Sequence, residues 1–252
     1  MKTRIRNAFC WVELVAPDMG AAKRFYGGLY GWSFDDVETP GGPYSVIQTG
    51  NGMGGGIMPL PEGMEASWMP YVAVENLEET LALAEAAGGA MLFPPTDLDD
   101  SGRIMWIQDV EGARLGLYQA GPQSPPTLAA DPSGKHHVCF VEETVADAMQ
   151  ATSFYSKLFS WEFESITCGG TDYQVIDAGV EPKGGFLTKP EPSMPSAWMP
   201  YVKVDDIEAA LAAALTRGAS LVVGRTEMEK GAFAVYADPH GAHLGIYQPP
   251  SA

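Results

Sequence analysis

Residues Cys10–Phe34, CWVELVAPDMGAAKRFYGGLYGWSF, return 129 residues later as CFVEETVADAMQATSFYSKLFSWEF, Cys139–Phe163. Two further stretches repeat in step. WMPYVAVENLE (Trp68–Glu78) reappears as WMPYVKVDDIE (Trp198–Glu208), and DVEGARLGLYQ (Asp109–Gln119) reappears as DPHGAHLGIYQ (Asp238–Gln248). Correspondence this long and nearly free of gaps marks a duplication. It predicts two homologous modules, residues 1–120 and 133–252, joined by a linker at 121–132 within the Pro- and Gly-rich run AGPQSPPTLAADPSG.

A weaker repeat of about 58 residues lies inside each module. Trp11 and Met69 sit on short β-rich runs, and each is followed seven residues later by a helix-capping residue, Asp18 and Asn76. Phe140 with Asp147 and Met199 with Asp206 keep that spacing in the second module. Asp and Asn satisfy the orphan N–H groups of a first helical turn, and Gly31 and Gly89 offer a left-handed stop. Ala21, Ala22, Phe25, Tyr26 and Leu29 mark one apolar helix face; Leu77, Leu81 and Ala84 mark another. Three short strands follow each helix, as in WSFDDV, YSVIQT and GGGIMPL. The fold class expected is α+β, a tandem duplication of paired βαβββ units with four units in all.

Composition narrows the function classes. The 252 residues carry 15 Lys+Arg against 32 Asp+Glu, a net charge of −17. A nucleic-acid partner needs a cationic face to displace counterions, and an anionic membrane surface asks for the same, so both are disfavoured. No apolar run approaches the roughly 20 residues of a membrane helix, and the start MKTRIRNAFCWVEL lacks the h-region of a signal peptide. Three cysteines, Cys10, Cys139 and Cys168, do not make a disulfide framework. A cytoplasmic protein is expected. Its quaternary state is expected to be a monomer with an internal pseudo-dimer, or a homodimer.

The strand–Asp–FY–GW pattern (Trp11, Asp18, Phe25, Tyr26, Gly31, Trp32), its copy (Phe140, Asp147, Phe154, Tyr155, Trp161) and the two DxxGxxxGxYQ endings resemble the vicinal oxygen chelate superfamily of glyoxalases, extradiol dioxygenases and bleomycin-resistance proteins. The resemblance spans nearly the whole chain. It implies paired βαβββ units curled around a cavity, and in the family's enzymes a divalent metal held by four His, Glu or Gln side chains. Carried onto this chain, those positions fall on Trp11, on or beside Gly56, on Met69 and on Gly116, and in the second module on Phe140, near Gly185, on Met199 and on Gly245. Trp, Phe and Gly carry no ligand atom, and thioethers favour soft metals. No metal or other cofactor is therefore expected, which counts against glyoxalase I and dioxygenase activity.

Strand alternation selects a cavity wall: Trp11, Glu13, Met69, Tyr71, Arg114 and Tyr118 in the first module, and Phe140, Glu142, Met199, Tyr201, His243 and Tyr247 in the second. Aromatic and Met residues on strands are also ordinary core, and WMPY reads first as a strand entry with an interfacial Trp and second as a binding element. A carboxylate among apolar neighbours is costly unless paired, and Arg114 is a partner for Glu13 by parity. His136, His240 and His243 form a weak candidate metal set, with His240 read as a solvated turn residue. The leading expectation is a protein that binds a small aromatic or cationic organic molecule without a metal. The alternative is a metal-independent lyase, isomerase or hydroxylase acting on a small carbonyl or phenolic substrate, with Glu13 as general base and Tyr71 or Tyr118 as acid or oxyanion donor. A third reading is an interaction protein whose cavity is vestigial.

Overall fold

A computed structural model describes residues 6–50, 52–124, 136–168, 171–178, 183–189, 191 and 193–250. Most of the expected linker lies outside these residues. The first repeat is β1 (Ala8–Ala16), α1 (Met19–Tyr30), β2 (Ser33–Thr39), β3 (Gly42–Gln48) and β4 (Met53–Pro59). The second is β5 (Ser67–Val74), α2 (Leu77–Ala86), β6 (Ala90–Asp97), β7 (Gly102–Gln108) and β8 (Arg114–Ala120). The third comprises β9 (Val138–Val145), α3 (Ala148–Phe159), β10 (Glu162–Cys168), β11 (Thr171–Asp177) and β12 (Lys183–Thr188). The fourth comprises β13 (Ala197–Lys203), α4 (Ile207–Thr216), β14 (Ser220–Met228), β15 (Gly231–Ala237) and β16 (His243–Gln248). Four βαβββ units follow one another, as the sequence predicts.

The strands form two eight-stranded sheets, ordered β2-β3-β4-β1-β5-β8-β7-β6 and β10-β11-β12-β9-β13-β16-β15-β14. Within a unit the last three strands pair antiparallel, while the first runs parallel to the last, as β1 does to β4 and β5 to β8. The helix is the crossover that this parallel pairing requires.

Local signals explain the helices. Asp18, Asn76, Asp147 and Asp206 each accept a backbone N–H from the first turn of their helix. Ala22, Phe25, Tyr26 and Tyr30 form the buried stripe of α1, and Ala151, Phe154, Tyr155, Leu158 and Phe159 that of α3. Gly31 takes the expected left-handed conformation after α1, with φ 71°. After α2 the left-handed residue is Gly88, one position earlier than read from sequence. After α3 the position equivalent to Gly31 is Ser160, held at φ 56°. An L-residue pays for that conformation where glycine does not. Ser160→Gly is therefore expected to raise stability by about 0.5–1 kcal/mol, read as a higher denaturant midpoint at unchanged m-value.

The described residues divide into two compact units: a first within Met1–Trp11, Pro70–Leu128 and Val141–Trp198, and a second within Val12–Met69, Ala129–Phe140 and Met199–Ala252. Each unit has its own core. Val72, Leu77, Met105, Leu117, Val141, Phe154, Tyr155 and Phe186 are among the buried residues of the first. Leu14, Phe25, Tyr26, Ile57, Val202, Leu211 and Ile246 are among those of the second. Each core thus draws strands and helices from both sequence modules.

Candidate functional site

In the second unit Glu13 lies on β1 opposite Gly56 of β4. Gly56 is covered by the ring of Tyr44: a Cβ built there would stand 1.8 Å from the phenol oxygen. On β16 of the same unit, Gly245 faces Tyr201 of β13 in register, and a Cβ at Gly245 would lie 2.2 Å from the Tyr201 ring. That ring is flanked edge-on by Phe140 and Phe233, with centroids 6.3 and 6.1 Å away.

The first unit carries the matching pair. Tyr71 of β5 lies in register with Gly116 of β8 and covers it, 2.3 Å from a Cβ at that position. Trp106 donates its indole N–H to the Tyr71 hydroxyl at 2.6 Å. Tyr173 covers Gly185 at 2.3 Å and donates to Glu142 Oε2 at 3.0 Å. So each of the four glycines at or beside the metal-ligand positions of the family resemblance has a tyrosine ring against it. A longer side chain there would collide with that ring, and a phenol is a poor substitute for the imidazole or carboxylate a divalent ion requires.

Other repeated motifs belong to the cores. Tyr26 donates to Asp238 Oδ2 and accepts from the Trp68 indole, both at 3.0 Å. Tyr155 donates to Asp109 Oδ2 and accepts from Trp198, again at 3.0 Å. In both units the other Asp oxygen takes two backbone N–H groups of its turn: Glu111 and Ala113 on Asp109, His240 and Ala242 on Asp238. Burial first, and then the nearby Asp, hold both phenols far above their usual pKa, so they remain neutral donors. The FY, WMPY and DxxGA motifs are therefore the three corners of a buried hydrogen-bonded triad made once in each unit. The Trp of WMPY, read from sequence as interfacial, is buried at Trp68 and Trp198.

Burial sorts the residues expected on the wall. Glu13, Met69, Tyr71, Tyr118, Glu142 and Tyr201 are buried. Trp11, Arg114, Phe140, Met199 and Tyr247 are half-buried, and His243 is exposed. Glu13 belongs to the second unit and Arg114, its partner by parity, to the first. Tyr118 donates to the Ser101 carbonyl at 2.5 Å, and Tyr247 to the Lys230 carbonyl. Of the half-buried and exposed members of the set, Trp11 and Arg114 fall in the first unit, and Phe140, Met199, Tyr247 and His243 in the second, which also holds half-buried Phe233. Partial desolvation, opposed by the Asp238 charge, keeps the His243 imidazole below its usual pKa and hence neutral at pH 7. Phe233 escaped the sequence reading because its counterpart in the first module is Ile104, so the repeat gave it no aromatic signature.

The histidines part company. His136 precedes β9, and its Nδ1 meets the Tyr30 carbonyl at 2.9 Å. His240 is half-buried with Nε2 enclosed, which corrects the solvated turn residue read from sequence. Among the described residues no group of three or more His, Cys, Asp or Glu is placed to hold a metal. Cys10 is buried, its thiol pKa pushed up by desolvation, and Cys139 is half-buried; their Sγ atoms reach the Tyr71 and Tyr201 carbonyls. No described helix is long and apolar enough to cross a membrane.

The profile of the glyoxalase-like domain family matches residues 137–246. A Mycobacterium bovis protein named "Putative glyoxylase CFP32" is 32% identical over 248 residues, which cover 95% of this chain and 94% of that one. The anthracycline biosynthesis protein DauV of Streptomyces sp. (strain C5) is 23% identical over 273 residues, covering 96% and 93%. Among solved structures, the Mn(II)-bound glyoxalase from Novosphingobium aromaticivorans superposes with a TM-score of 0.68 at 12% identity, over 98% of this chain and 83% of that one. The 2,3-dioxygenase LapB of Pseudomonas sp. KL28 gives 0.65, also at 12% identity, over 100% and 94%.

Proposed function

Because the chain belongs to the glyoxalase-like family of the vicinal oxygen chelate superfamily, we propose that it binds a flat aromatic organic molecule and does so without a resident divalent metal. The tyrosine-covered glycines carry this reading. Gly56, Gly116, Gly185 and Gly245 stand at or beside the positions where the resemblance puts metal ligands, and Tyr44, Tyr71, Tyr173 and Tyr201 occupy the space such ligands would need. What remains is apolar and aromatic with a few polar atoms, the usual lining of an organic-ligand site. Phe140, Met199, Phe233 and Tyr247 are the half-buried surface on which a ring would stack, with neutral His243 as a hydrogen-bonding tip. The anthracycline biosynthesis relatives fit the same ligand class, since an anthracycline is a fused polycyclic aromatic.

Calorimetric titration with a hydroxyanthraquinone, in excess chelator, tests the reading. Saturable binding unchanged by chelator is expected, and Phe140→Ala and Met199→Ala are each expected to weaken it by about tenfold, the loss of one good apolar contact. Absence of binding to a panel of planar aromatics, or binding only with added Mn²⁺ or Zn²⁺, rejects it.

A second reading gives Glu13 a chemical task. Its carboxylate is 3% exposed on a strand facing Gly56, whose other neighbour is the Tyr44 phenol. A buried carboxylate in such a place suits a general base acting on a small carbonyl or phenolic substrate. Glu13→Gln retaining the full rate of any turnover found for the chain removes this assignment.

A further inference from the structure

Glu143 is a buried carboxyl side chain of the first unit that neither the triad nor the wall uses. It is 0% exposed, and among the described residues neither of its carboxyl oxygens has a hydrogen-bond partner of ordinary geometry. Its equivalent in the other module is Leu14, also 0% exposed, in a core that manages with a hydrocarbon there.

The groups that face Glu143 are acidic or phenolic. Asp109 and Glu111 come from the turn between β7 and β8, and Tyr155 comes from α3. Asp109 spends its lone pairs on Glu111 N–H, Ala113 N–H and the Tyr155 hydroxyl. Glu111 spends its own on the N–H groups of Ala146 and Asp147 ahead of α3, and on the Ser196 hydroxyl. Both neighbours are acceptors already engaged with donors, so the added proton belongs to Glu143.

We propose that Glu143 is a proton-operated lock in the first unit: its core closes around the neutral acid, and loss of that proton loosens β9 and its contacts with α3 and the β7–β8 turn. The second unit, with Leu14 in the corresponding place, carries no such lock. Burial, then the Asp109 charge, raises the pKa of Glu143 well above the ordinary 4.5. The folded chain therefore keeps a proton that the unfolded chain releases, and stability falls as pH rises from the ordinary glutamate value toward the raised one.

Denaturant unfolding of the full chain between pH 5 and 9, for wild type, Glu143→Gln and Glu143→Leu, tests this. Relative to either variant, the wild-type unfolding constant should rise about tenfold per pH unit until the folded acid ionises. Glu143→Gln keeps the shape and Glu143→Leu copies the other module, so one reports on the other if either packs poorly. Hydrogen exchange should place the alkaline loosening in Val138–Val145 while Gly231–Ala237 stays protected. Parallel pH profiles for all three proteins, or equal loosening of both segments, overturns the proposal.

Discussion

Gly245→Ala and Gly116→Ala should each destabilise the protein by about 3 kcal/mol, the upper range for forcing a methyl group into a packed core. The added carbon at Gly245 would sit 2.2, 2.4 and 2.6 Å from three atoms of the Tyr201 ring, and at Gly116 between 2.3 and 2.5 Å from the same part of Tyr71. These are near ring atoms close to the backbone, and they cannot swing away. Tyr201 is hemmed by Phe140 and Phe233, and Tyr71 is tied through its hydroxyl to Trp106. Gly56→Ala should cost less, about 1–2 kcal/mol, because the clash falls on the hydroxyl end of Tyr44, which a small rotation moves. Denaturant midpoints of the three variants check the order. Equal, small losses at all three would mean that the rings are loosely held and do not fill the ligand positions.

The fold was legible where its causes are local. Asp18, Asn76, Asp147 and Asp206 mark helix starts through atoms three residues away, and strand alternation fixes a face from neighbours two residues apart. Pairings formed at long range left only indirect traces. Tyr26 and Asp238 are 212 residues apart, and no periodicity joins them. The signal available was chemical. A polar atom on each of three repeated, otherwise apolar motifs needs a buried partner, and Tyr, Trp and Asp supply one another. Glu143 could likewise have been found by aligning the modules, since Leu14 opposite Glu143 is a change of polarity inside a conserved pattern of burial. Parity assigned the wall residues to one face, but their exposure was not readable, because parity says which way a side chain points and not what comes to lie over it. Tyr44 and Tyr173, the covers of Gly56 and Gly185, sit on β3 and β11, outside the strands whose alternation defines the wall.

The two buried aspartates separate the triad from the lock. Asp238→Ala should cost about 3–5 kcal/mol, the usual penalty for breaking a buried charged network, since it leaves the Tyr26 hydroxyl and the N–H groups of His240 and Ala242 without their acceptor. Asp238 is only 4% exposed, so water does not readily replace it. Asp109→Ala removes the same three kinds of bond in the first unit. It also removes the charge that opposes ionisation of Glu143. While Glu143 keeps its proton the two costs should match; once pH exceeds the raised Glu143 pKa, Asp109→Ala should cost less than Asp238→Ala, by about 1.4 kcal/mol if the Asp109 charge suppresses that ionisation about tenfold. In a Glu143→Leu background that relief is gone, and Asp109→Ala should then cost as much as Asp238→Ala. Unfolding free energies for the four proteins of this cycle, with Asp238→Ala alongside, supply the comparison when taken at alkaline pH, where Glu143 ionises. An Asp109→Ala cost indifferent to residue 143 would show that the two carboxyls do not feel each other, and the triads of the two units would then be energetically equivalent.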